Sequence, residues 1–531
     1  MYYNYYDDYQ YDSCIAKGIC SINPRTSSLR EVLVMYLKQL AFYTLQLKYH
    51  GIKNNNVEDI ILNALSGFMS NLETGSEPFY KTLINLKTVI IKSREVYDKI
   101  CLERNIKPKD VKSDFKLNKK HNITELIQLG EKELSLKLKL ITEENRNLYE
   151  IIFCVLKSLC INLVELRSFD TDDERAYSEI LYLLNIMNYP ETSAEILLKI
   201  INNAVKTDFC VYKKLYETRC EVYGEPDEAQ VSYSTRPNKA ILVTGTGIRE
   251  LQNVLEVSKD LDIDVYTHGE MIKAFIYPKF REYPHLIGQF GKGTEHCLLD
   301  FAAFPGAILV AKHSLESIEY LYRGRLFTTD NFVPQGVIKI RNNDYTPLIN
   351  SALSAKGFKR GQTKETVSIG CNQKDFDEKA DGLVRNMRSF KNIIIIGTKI
   401  LTEEQKSYFD NLINYLDSAT FVISLFDEFD TENFILIKSA LDFHTVYKIF
   451  ERIKEPAWSA GVKIFLFITQ CNKNTISNIL NLRRLGLDNI YLSKCKPIML
   501  NPSLTATLKN LYDIKETDCV TKDIEIFNND H

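Results

Sequence analysis

The stretch Ile263-Asp-Val-Tyr-Thr-His-Gly-Glu-Met271 ends an apolar, β-rich run with a histidine and a carboxylate two residues apart. Ile263, Val265 and Tyr266 favour a strand, Gly269 breaks it, and Met271 to Phe275 continue in a helical pattern. Such a strand carries Thr267, His268 and Glu270 to its carboxyl end, where doubly wound α/β sheets bind ligands. Imidazole and carboxylate there can move protons or ligate a metal. Both residues also have a plain structural use. A histidine can satisfy loop backbone groups, and an acid is favoured in the first turn of a helix.

The second candidate is a pair of thiols, Cys14-Ile-Ala-Lys-Gly-Ile-Cys20. The chain has twelve cysteines and no Cys-x-x-Cys, so the usual zinc and thioredoxin spacings are missing. Reduced thiols or metal ligands fit this usage better than a disulfide framework. Cys154 and Cys160 sit in an apolar helical run, where cysteine behaves as a small hydrophobe. Most of the others are scattered singly.

The elements that must position these groups follow from length and pattern. A chain of 531 residues exceeds one core and suggests roughly three domains. Hydrophobic content of 45% is ordinary for a globular protein, and a net charge of -2 lacks the basic field of a nucleic-acid binder. No apolar stretch is expected to reach the roughly 20 residues that span a bilayer. The start, Met1-Tyr-Tyr-Asn-Tyr-Tyr-Asp-Asp, lacks signal-peptide regions, which points to a cytoplasmic protein. Six tyrosines within residues 1–12 suit a packed interface.

From Ser27 to about Thr235 the apolar spacing is helical, with expected helices at 57–71, 80–97, 123–137, 143–166, 171–187 and 192–206. At Asn238 the period changes. Ala240 to Gly245, Ile263 to His268 and Phe304 to Ala311 read as strands, with a helix over 248–260 between the first two. Phe390 to Gly397, Ala419 to Leu425, Val462 to Thr469 and Asn489 to Leu492 read as further strands, alternating with helices over 402–416, 442–453 and 475–485. Thr402 is the expected cap of the first of these helices. Strands alternating with helices call for parallel βαβ units. The expected architecture is multidomain α and α/β. A helical-bundle domain (1–237) precedes two Rossmann-like parallel-sheet domains (238–360 and 361–531), parted by the polar linker Ala355 to Glu365. Thr244-Gly-Thr-Gly-Ile-Arg-Glu250 is a poor dinucleotide fingerprint, because Glu250 stands where the third glycine belongs.

Three segments together resemble the hybrid-cluster protein family, the hydroxylamine reductases or prismane proteins, which is related to the nickel carbon monoxide dehydrogenases. They are Asp264-Val-Tyr-Thr-His-Gly-Glu-Met-Ile-Lys-Ala-Phe-Ile-Tyr-Pro-Lys with Tyr283-Pro-His-Leu-Ile-Gly, then Phe304-Pro-Gly-Ala-Ile-Leu, then Arg325-Leu-Phe-Thr-Thr. Weaker similarity runs from Cys14 to about Lys515. The resemblance implies an N-terminal iron–sulfur cluster on four cysteines, and a hybrid iron–sulfur–oxygen cluster held by one His, two Glu and four Cys. Carried over singly, the histidine falls on Thr246, one glutamate on Glu270, and the first cysteine on Ser314. The persulfide cysteine falls on Thr398, the next two near Phe426 and Leu441, and the last glutamate near Asn472. One ligand of these seven stays, and the side chains replacing the cysteines supply no thiolate. No hybrid cluster and no hydroxylamine reductase activity of the family's kind are expected.

Cys14 and Cys20 match the last two cysteines of the N-terminal cluster, and Tyr2 and Tyr5 stand near the first two. The related dehydrogenases share one cluster across a homodimer axis, which implies here a homodimer with one [4Fe-4S] cluster on Cys14 and Cys20 of each chain. Both cysteines could equally be ordinary thiols left from a four-cysteine site. The emptied crevice offers Glu270, His268, His313 and Cys471 as weaker metal ligands, and Thr246, Ser314, Thr398 and Asn472 as polar groups for a small ligand. Phe426 and Leu441 could instead fill it. Three functions stay open. One is an iron–sulfur electron-transfer protein with a redox partner, another an oxidoreductase with an altered site around Glu270. The third is a cluster-free interaction protein. Neither a nucleic acid nor a membrane is an expected partner.

Overall fold

The computed structural model describes residues 24–68, 76–111, 121–291, 296–312, 320–397, 403–426, 428–438, 443–469, 474–493 and 502–528. Cys14, Cys20, His313, Ser314, Thr398, Thr402, Leu441, Cys471 and Asn472 lie outside these residues.

Helices come first, at Pro24–Tyr49, Asn55–Leu65, Ser76–Glu103, Ile123–Leu140, Glu143–Arg167, Glu174–Ile186 and Ala194–Tyr223. Side-chain caps open several of them: Thr142 accepts from the Asn145 N–H and Asp173 from the Ala176 N–H. The last helix runs to Tyr223, far past the expected end at 206, and helical pattern does not continue to Thr235. Gly224, at φ +89°, ends the helix, and β1 (Ala229–Ser232) follows with alternating burial. Glu143–Arg167 corrects a second expectation. It is long and apolar enough to cross a membrane by length and composition, but 89% of its most apolar window is buried inside the protein. It is the central core helix of the bundle. Cys154 and Cys160 are buried on it, and burial pushes the Cys160 thiol up to about 12.

Two parallel sheets follow. The first contains β2 (Lys239–Gly245), β3 (Ile263–His268), β4 (Leu286–Gln289), β5 (Ala307–Ala311), β6 (Leu326–Thr328) and β7 (Ile338–Lys339). β8 (Thr366–Ile369) crosses back to pair antiparallel with β1, Val231 opposite Val367. The second sheet contains β9 (Asn392–Ile396), β10 (Thr420–Ser424), β11 (Phe434–Leu436), β12 (Lys463–Ile468), β13 (Asn489–Leu492) and β14 (Lys515–Glu516). Their spatial orders, β4-β3-β2-β5-β6-β7 and β11-β10-β9-β12-β13-β14, are the same doubly wound order repeated. The helical region followed by two Rossmann-like sheets is the architecture expected from the sequence.

β4, β6, β7, β11 and β14 lay outside the sequence expectation, being two to four residues each. The Phe304 strand begins later, at Ala307, because Phe304-Pro-Gly turns into it. The pattern from Met271 to Phe275 is realised as a 3₁₀ turn over Gly269–Ile276 rather than an α-helix.

One core cluster runs from the bundle into one face of the second sheet, joining Leu156 and Leu163 to Ile395 and Ile479. The first sheet has its own clusters on its two faces. Its unit meets the bundle at Phe332, whose ring lies 4.6 Å from that of Phe79.

Candidate functional site

In this strand order the reversal falls between β2 and β5 in the first sheet, and ligands bind outside the carboxyl ends at that point. The residues leaving those two strands are Thr246-Gly247 and Lys312. The Thr246 and Gly247 N–H groups both donate to Ala311 O, at 3.0 and 3.1 Å, and the Thr246 hydroxyl donates to Lys312 O at 3.5 Å. Lys312 takes a left-handed φ of +58°, which turns it back over the sheet end.

Glu250, in the first turn of the helix Ile248–Ser258, reaches Lys312 there: Nζ to Oε1 is 3.0 Å, with both side chains largely buried. The missing third glycine thus has a positive meaning. A Cβ on Gly247 would fall 2.2 Å from Glu250 Oε2, so Gly247 makes room for the carboxylate that replaces the fingerprint. Glu165 and Arg219 approach from the bundle as a buried pair, with Arg219 donating to Glu165 Oε1 from Nη2 at 2.6 Å and Nε at 3.2 Å. Burial opposes the charge on Lys312, but Glu250 and Glu165 outweigh it and its pKa is raised. Burial likewise opposes ionisation of Glu165, and Arg219, Lys273 and Lys312 more than offset it, so its pKa is lowered. The switch point is therefore packed with compensated charge.

The expected site residues are only partly brought together. His268 is fully buried, and both ring nitrogens are engaged: Nδ1 lies 3.1 Å from Thr244 Oγ1 and Nε2 3.1 Å from Asp300 Oδ2. Its face packs on Phe301 at 5.2 Å. The imidazole thus ties β2 and β3 to the helix Cys297–Ala303 through side chains rather than through the loop backbone groups the sequence suggested. Thr267 points elsewhere, donating to Gln289 Oε1 at 2.5 Å. Glu270 is half-buried on the 3₁₀ turn and makes no hydrogen bond or ion pair among the described residues. Phe426, just past β10, is half-buried against the core shared with the bundle. Among the described residues no group of three or more His, Cys, Asp or Glu side chains could hold a metal.

Sequence reading missed Glu165, Arg219, Lys273 and the Glu250–Lys312 pair. The available signal was Lys312 itself, a lysine directly after the buried strand Ala307–Ala311.

Residues 10–426 match the family model described as the Prismane/CO dehydrogenase family. The chain belongs to that family. Curated relatives in it include a hydroxylamine reductase of Rhodospirillum rubrum, 24% identical over 530 residues and covering 96% of both chains. Another is a hydroxylamine reductase of Thermodesulfovibrio yellowstonii, 24% identical, covering 96% of this chain and 97% of that one. Among solved structures the chain is similar to carbon monoxide dehydrogenase IV from Carboxydothermus hydrogenoformans, at 10% identity and a TM-score of 0.47, covering 96% of this chain and 88% of that one.

The family's hybrid cluster can be tested against the described ligand positions. Thr246 has its hydroxyl turned to a backbone oxygen, Phe426 has no donor, and Glu270 offers one carboxylate. These residues do not fit such a cluster.

Proposed function

We propose that this chain is a metal-cluster redox protein of the Prismane/CO dehydrogenase family that has lost the hybrid cluster and with it the hydroxylamine reduction named for its relatives. The observation that carries the loss is that two described ligand positions hold no iron ligand: Phe426 has no donor atom, and the Thr246 hydroxyl is turned to Lys312 O at 3.5 Å. Iron–sulfur clusters are held by thiolates, and neither side chain supplies one.

The remaining metal chemistry is assigned to Cys14 and Cys20. Two thiolates per chain fill the four positions of a [4Fe-4S] cluster across a two-fold axis, where each patch meets its own copy. A bound cluster of this kind supplies one-electron transfer. The proposal therefore includes a homodimer and a redox protein partner. The assignment is supported by the family membership and by the match of both cysteines to family positions.

The test is anaerobic purification followed by iron and sulfide counts, a visible spectrum, mass determination and a hydroxylamine assay. Four irons per pair of chains, no hydroxylamine turnover, and loss of colour and dimer in Cys14→Ser are expected. Iron well beyond four per dimer together with turnover would overturn the loss of the hybrid cluster. A brown, dimeric Cys14→Ser protein would overturn the cysteine assignment.

A second reading rests on Glu270, half-buried and without a partner among the described residues. It is an oxidoreductase with an altered metal site at that carboxylate. Metal that survives Cys14→Ser but is lost in Glu270→Gln would favour it.

A further inference from the structure

A cavity of about 50 Å³ lies where the bundle and the two sheet units meet, away from the switch point of the first sheet. Tyr216 and Glu225 line it from the bundle side, Tyr277 from the first sheet unit, and Cys371, Lys438, His444 and Lys448 from the second. Small-ligand sites favour such domain junctions. At roughly 10–15 Å³ per water-sized centre, the volume suits a ligand of about three to five non-hydrogen atoms.

The charges around the cavity are unevenly matched. Glu228 is engaged by Lys438 at 3.2 Å and by the Ser368 hydroxyl. Asp375 is held by Lys379 at 2.7 Å and by the Cys371 thiol at 3.3 Å, and Asp377 by the Gln373 amide at 3.0 Å. Glu225 is hydrogen-bonded to the Cys220 thiol. Lys448 alone has no carboxylate at ion-pair distance among the described residues. Its ammonium lies 4.5 Å over the Phe376 ring, which holds it in place without neutralising it.

His444 forms the adjoining wall, stacked on Tyr216 with rings 13° from parallel. Burial first, then Lys448, Arg219 and Lys213, push its pKa down to about 3, so it adds no positive charge of its own. Cys371 keeps its proton, since burial and Asp375 push the thiol up to about 12, which argues against metal binding here.

We infer that this cavity is a binding site for a small inorganic oxyanion, with Lys448 as its counter-charge and the Tyr216–His444 stack as its adjoining wall. The class follows from an ammonium with no carboxylate at ion-pair distance among the described residues, an aromatic floor, and room for a nitrate-, sulfate- or phosphate-sized ion. Glu225 and Asp377 act on that ammonium only from further off. The site is independent of any cluster.

Purified full-length protein titrated with sodium nitrate, sulfate and phosphate, against sodium chloride at constant ionic strength, tests the inference by calorimetry and thermal shift. Saturable binding of at least one of these oxyanions is expected, weakened at least tenfold in Lys448→Met and largely kept in Lys448→Arg. If Lys448→Met does not fold, Lys448→Gln, which keeps most of the stem, carries the same expectation. Absence of saturable binding for all three oxyanions, or affinity in both neutral variants within twofold of the parent, overturns it.

Discussion

Lys312 Nζ sits 3.0 Å from Glu250 Oε1 at the point where the first sheet reverses its strand order. A group leaving β5 thereby meets a group on the helix after β2, across the crevice this fold reserves for ligands. Removing one member of a buried pair strands the other charge, which costs about 3–5 kcal/mol. Lys312→Met is expected to lose about that much in urea unfolding at pH 7. The double variant Glu250→Gln/Lys312→Met should recover most of it. Because the Lys312 pKa is raised in the folded state, its contribution is present at neutral pH and fades only as pH rises through that raised value. A single variant as stable as the parent would show that the pair does not hold the crevice.

His268 gives a sharper discrimination between tie and ligand. With Thr244 and Asp300 on its two nitrogens, its loss removes one contact from each and opens a void in the buried space between β2, β3 and the helix Cys297–Ala303. His268→Ala is expected to lower the thermal midpoint while iron per chain, counted on anaerobic protein, stays unchanged. Iron lost in proportion in a variant that still folds would return His268 to the ligands.

Much of this arrangement was legible before any coordinates. β3 has the bounds read from Ile263 to His268, because Gly269 ends a run of six buried residues. The long core helix was legible over 143–166 from its apolar spacing, and the structure has it over Glu143–Arg167. β1 was not, because four residues of alternation are lost behind a helix that runs through Tyr223. The charge network escaped for a different reason. Glu165, Arg219, Glu250 and Lys312 come from three helices and a strand end, and no local spacing announces that they meet. Glu250 was read only as a glycine that is missing, although a side chain in that position had to find a partner.

Asp208 binds the bundle to the second sheet unit and does so as a titratable group. Its carboxylate accepts from Ser158 at 2.6 Å, Asn162 at 2.8 Å and Ser477 at 2.5 Å, the last from the helix Thr475–Arg484. Burial raises its pKa to about 6, and the three hydrogen bonds only partly counter that. Between the unfolded carboxyl value near ~4 and about 6, the folded chain holds a proton that the unfolded chain has released. Stability from this group therefore falls as pH rises through that window and is level above it. Asp208→Asn keeps the shape and a carbonyl acceptor without the charge, so it should flatten this slope and be at least as stable as the parent at pH 7.5. Asp208→Ala leaves three donors without their acceptor and should cost about 1–3 kcal/mol or more at every pH. Urea midpoints of the three proteins from pH 4.5 to 7.5 check both statements. An Asp208→Asn profile parallel to the parent's would mean that Asp208 is ionised throughout the range, with its hydrogen bonds outweighing its burial.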